Sequence, residues 1–203
     1  PDTLTPGWRG IVGNASNSSD GWYVAMNTSG PGTNNLVFVG GATPNSLSVT
    51  GRALLLPGQW YHLTVAHDGQ QGNIYLDGAL LARGSGETLL HEGPIFLGGG
   101  VGGLDSFPGR IDELRTYTNF LAPERVSVVG EWLFNESQGE LSADKSGREY
   151  PARITDPAAW VPGRDGTGIE LACGQAIIAN NDLTVLPPSG KPFSVSFWQR
   201  RDG

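Results

Sequence analysis

The stretch Gln59–Ala82 constrains this chain more than any other. From Trp60 to His67 it is rich in aromatic and β-branched residues, which suit a pleated, half-buried surface. Leu63 and Val65 fall on one face of that run, His62 and Thr64 on the other. Asp68-Gly69 then breaks it, because glycine takes the positive φ that tight turns require. A second alternating run puts Ile74 and Leu76 on one face and Tyr75 and Asp77 on the other. Asp77-Gly78 between apolar runs is a strong hairpin signal, and Leu80 and Leu81 open a third strand. The spacing predicts a β-meander.

The rest of the chain supports the same class. Among 203 residues there are 31 glycines and 14 prolines, with 38% hydrophobic residues, a balance that fits short strands joined by many turns rather than long helices. Short strands are expected at Trp8–Val12, Trp22–Met26, Leu36–Val39, Leu47–Thr50, Ala53–Leu56 and Pro94–Leu97. Trp22, Val24 and Met26 are expected to share one face, Tyr23 and Ala25 the other. Near-regular strands between turn clusters predict an all-β sandwich of two antiparallel sheets. A formal charge of −7 argues against a nucleic-acid partner, which needs a basic patch. No apolar run reaches the length of a membrane span, so no membrane insertion is expected. Pro1 is no natural initiator and no leader precedes it, which suggests a processed or excised piece. Asn14, Asn17, Asn27 and Asn135 open glycosylation-type sequons and hint at an extracellular or cell-surface location.

Catalytic signatures are weak. Retaining glycoside hydrolysis needs an acid and a nucleophile about 5 Å apart, and no Glu-x-Asp-x-Glu alternation supplies them. Asp112 and Glu113 are adjacent and would point to opposite faces of a strand; Glu131 and Glu136 have opposite parity. No Gly-x-Ser-x-Gly elbow occurs, and His62, His67 and His91 have no metal-ligand spacing. No enzyme activity is expected. The single cysteine, Cys173, reads as a small buried hydrophobe. Trp8, Trp22, Trp160 and Trp198 suit either sugar stacking or a core, and sequence does not separate the two uses.

The run GQWYHLTVAHDG…IYLDGALLA resembles the central signature of laminin G-like, concanavalin A-like jelly rolls. Gly109–Tyr117 resembles their closing strand, and Leu121-Ala122-Pro123-Glu124 the short helical turn that follows, so helix is expected only near Ala122–Val126. The family commonly packs a histidine in the sheet where His62 stands, which implies a core role for it. From Gly130 the landmarks restart: Glu131–Glu136 and Asp144-Lys145-Ser146-Gly147 resemble the opening of the same fold. Trp160-Val161-Pro162-Gly163, Ile169–Cys173 and Phe193–Trp198 resemble its next strands. The resemblance therefore divides the chain into 1–129, the later part of a jelly roll, and 130–203, the earlier part, together one complete domain. The halves can close on each other within one chain, between neighbouring molecules, or between tandem repeats. Of these, completion between molecules or repeats is favoured, giving a self-partnered, head-to-tail assembly that does not close and so forms a filament. The function this implies is a non-catalytic extracellular structural or adhesion module; the alternative is a carbohydrate-binding, lectin-like accessory domain. The family also frequently holds a structural calcium where the opening loop meets the closing strand, and the matching residues are Asp112 and Asp144.

Overall fold

A computed structural model describes residues 6–15, 21–29, 34–41, 45–88, 94–98, 104–118, 128–155, 159–171, 176–179 and 191–202. The strands are β1 (Trp8–Gly13), β2 (Trp22–Asn27), β3 (Asn34–Gly40), β4 (Ser48–Ala53), β5 (Trp60–His67), β6 (Gln71–Leu76), β7 (Ala79–Ser85), β8 (Ile95–Gly98) and β9 (Asp105–Ser106). They continue as β10 (Gly109–Tyr117), β11 (Val128–Trp132), β12 (Leu141–Ser142), β13 (Ala152–Ile154), β14 (Trp160–Pro162), β15 (Thr167–Leu171), β16 (Ala176–Ala179) and β17 (Phe193–Arg201). No α-helix occurs among the described residues. The helical turn expected near Ala122–Val126, His91, Cys173 and the Asn17 sequon lie outside them.

Two sheets face each other. The nine-stranded sheet runs β12-β13-β16-β8-β1-β2-β3-β4 with β9 beside β1, and the eight-stranded sheet runs β14-β15-β10-β17-β5-β6-β7 with β11 beside β10. The expected meander is β5-β6-β7; its second turn is Asp77-Gly78, at φ 49° and 80°, the paired left-handed geometry that suits a two-residue hairpin. Alternation sorts the faces as the sequence predicts. Trp22, Val24 and Met26 enter the core, whereas Tyr23 and Ala25 join Ala15 in a separate cluster on the far side of their sheet. One difference concerns Ala53–Leu56: β4 ends at Ala53, and Leu54 and Leu56 are exposed. Leu133–Glu136 likewise does not extend β11, because Phe134 turns the chain at φ 53°.

The two stretches of the chain interleave in both sheets. β17 lies between β10 and β5, matching Val195 with Val65 and Phe197 with Leu63 on one side and Arg115 with Ser196 on the other. β16 lies between β13 and β8. Phe193 packs its ring 5.1 Å from Trp22 and 6.2 Å from Phe38, so the core itself is built from both stretches. The sandwich therefore closes within the chain. Within the chain, β17 pairs the edges of β5 and β10, the same edges that completion by a neighbouring molecule would use.

Candidate functional site

The chemistry-bearing side chains collect on the outer face of the eight-stranded sheet, and β10 sets their positions. Ile111 and Leu114 both enter the core, which a regular strand could not arrange. Between Asp112 and Arg115, β10 carries one residue more than β17, a bulge at which Glu113 takes φ 51°. Bulges re-aim side chains and are frequent next to functional sites. Here the bulge leaves Asp112 fully buried. Its Oδ1 accepts from the Glu113 N–H at 2.8 Å, and Oδ2 accepts from the Arg164 and Asp165 N–H groups at 2.7 and 3.1 Å. Burial pushes the Asp112 carboxyl up to about 6, against the opposite pull of those three N–H groups.

That carboxylate holds a turn onto the sheet. Gly163 donates its N–H to the Gly166 carbonyl, and a Cβ on Gly163 would lie 2.5 Å from both Asp112 Oδ2 and the Thr167 carbonyl oxygen. Only glycine permits this approach. Asn135 Oδ1 accepts from the Thr167 N–H, and the Phe134 carbonyl accepts from the Thr167 hydroxyl, so the turn is gripped from the β11 side as well. The result is to carry Arg164 to 4.9 Å over the Trp198 ring. A guanidinium over an indole face is attracted by the ring quadrupole.

From the other flank, His62 on β5 packs 5.1 Å from the same indole. Asp77 fixes His62, accepting its N–H at Oδ1 and donating its own N–H to the His62 carbonyl, each at 2.8 Å. Burial pulls the His62 imidazole below its ordinary value; Asp77 pushes it up, Arg115 down and Glu113 up. Beside this row Arg115 bridges two carboxylates, Glu131 at 2.7 Å and Glu113 at 3.0 Å. Farther across the face, Arg83 donates to Asn73 and Asn73 to Tyr75.

The tryptophans are now sorted. Trp22 and Trp132 are wholly buried, Trp160 is half-buried with its Nε1 donating to the Gly139 carbonyl, and Trp8 is exposed. Trp198 is half-buried on the outer face, and its ring is engaged by His62 and Arg164. His62 does not take the core role expected of it. Among the described residues the buried histidine is His67, whose Nε2 lies 2.9 Å from the Gly86 carbonyl and whose Nδ1 accepts from the Gly69 N–H.

Asp144 is placed with Asp112 by the expected calcium site, yet the two have separate partners. Asp144 Oδ1 accepts from the Glu131 and Ser146 N–H groups, and Oδ2 from the Ser146 hydroxyl and the Tyr150 N–H. A cation wants converging oxygens, whereas these carboxylates already face the positive ends of N–H and O–H donors. A calcium ion between them would have to displace those donors. Among the described residues no group of three or more His, Cys, Asp or Glu could hold a metal, and no helix is long and apolar enough to cross a membrane.

Residues 1–127 match the family model of the concanavalin A-like lectin/glucanases superfamily. The chain belongs to that superfamily. The match spans the strands from β1 to β10 and includes the meander and the bulged strand, and membership supports a carbohydrate-binding or adhesion-type module. No curated protein and no solved structure matches the chain significantly.

Proposed function

We propose that this superfamily member is a non-catalytic extracellular recognition module of adhesion type, whose ligand is a carbohydrate taken on the outer face of the eight-stranded sheet. One observation carries the reading: Arg164, Trp198, His62, Arg115, Glu113 and Glu131 stand together on that face, exposed or half-buried, while its opposite face is apolar core. Sugar hydroxyls are recognised by planar groups that donate and accept in pairs, and a guanidinium between two carboxylates offers both functions side by side. Catalysis is disfavoured by the same contacts. Glu113 and Glu131 flank one guanidinium instead of facing a shared cleft as acid and nucleophile, and Asp112 is closed off beneath the Gly163 turn.

A glycan array followed by titration of the strongest ligand tests this. Arg164→Ala and Glu131→Gln are expected to weaken binding at least about tenfold, the scale of one lost charge-assisted hydrogen bond, with the circular dichroism spectrum unchanged. Absence of any glycan ligand would remove the proposal. So would hydrolysis of a bound glycan that stops on Glu113→Gln or Glu131→Gln.

A further inference from the structure

We infer that a second copy of this chain is itself a partner, bound by reciprocal exchange of the 128–202 segment. The surface that 6–118 presents to 128–202 is extensive and chemically specific. It includes both edges flanking β17, the Trp22–Phe38 side of the core, and the charged outer face of β10. On that outer face three ion pairs among the described residues take their cation from 6–118 and their anion from 128–202: Arg115 with Glu131, Arg110 with Glu170, and Arg110 with Asp202. The Asp112 carboxylate reverses the polarity once, accepting from the Arg164 and Asp165 N–H groups. A second copy offers the same donors, acceptors, charges and apolar side chains in the same order, so all these contacts re-form between molecules without a new interface.

Chain connectivity alone decides between the two outcomes. β10 ends at Tyr117 and β11 begins at Val128, and those two residues are paired in register, so residues 118–127 join neighbouring antiparallel strands. A short linker gives an intramolecular partner an effective concentration of about the millimolar range. Below it the segment docks on its own chain, and above it a neighbour competes. Exchange of an identical element is a low-cost route to a dimer.

The full chain is unfolded in denaturant as a mixture of isotopically labelled and unlabelled copies, then refolded at about 1 µM and about 1 mM, either side of that effective concentration, and weighed by native mass spectrometry. Monomers are expected from the dilute sample, and dimers of mixed label from the concentrated one. The same experiment is run on a variant lacking residues 118–127. Joining Tyr117 directly to Val128 leaves no residues for a turn, and the tightest common hairpins need two. That variant is expected to refold only as dimers, with twice its own monomer mass and the wild-type tryptophan emission. Monomers alone from wild type at the higher concentration would overturn the inference, whatever the variant does, and so would a folded monomeric variant.

Discussion

Asp112 shows most sharply how one side chain serves this fold. Its two oxygens satisfy three part-buried backbone N–H groups. Asp112→Ala should therefore destabilise the protein by about 1–3 kcal/mol, the cost of leaving donors without partners, measured by urea unfolding. The pH dependence has an unusual sign for an aspartate. Because the folded-state value is raised from 3.8 to about 6, the native state holds the proton more tightly than the unfolded chain does. Stability from this group is thus greatest below the unfolded value and falls as pH rises through 6. Wild type should gain stability relative to Asp112→Asn as pH is lowered from 7 to 4; a constant difference would contradict this. The donors around Asp112 and Asp144 carry a second expectation: chelator or millimolar calcium should leave the melting temperature unchanged. A rise with calcium would show that the ion displaces those donors.

At the scale of elements, much was legible from sequence and the exceptions have physical causes. The closing strand Gly109–Tyr117 has the bounds read from its residues, and the Asp77-Gly78 hairpin follows from the demand for positive φ. The bulge at Glu113 was not legible, since it is defined only by the register against β17, a strand distant in sequence. Asp112 and Glu113 look like ordinary alternating neighbours until that register is known. The roles of His62 and His67 were legible in the alternation, which puts His67 on the apolar face of Leu63 and Val65 and His62 on the other; it was the resemblance that pointed to a core role for His62. The Trp160–Gly163 turn was recognised as a landmark without its purpose, which is to place Arg164 beside Trp198. Gly163→Ala tests that purpose. A methyl group there would push against the Asp112 carboxylate and the Thr167 carbonyl, costing about 1–3 kcal/mol as overpacking does. It should also weaken glycan binding through Arg164 even where the protein remains folded.

At the scale of the molecule, one sandwich is built from two stretches whose strands interleave in both sheets. Hydrophobic pattern and turn chemistry are satisfied equally by closure within a chain or between chains. The choice was therefore not available from sequence. Phe193 is the residue where closure is most costly to lose, since its ring meets Trp22, Phe38 and His67. Phe193→Ala should cost about 4 kcal/mol, as large aromatic truncations in cores do, and should unfold both stretches in a single transition monitored by tryptophan fluorescence and circular dichroism. The most direct test is nuclear magnetic resonance on a dilute sample shown to be monomeric by light scattering. Cross-strand nuclear Overhauser contacts are expected from Val195 to Val65 and from Phe197 to Leu63, with β17 amides among the most protected from exchange. Absence of those contacts in the monomer, with residues 193–201 exchanging freely, would contradict closure within the chain.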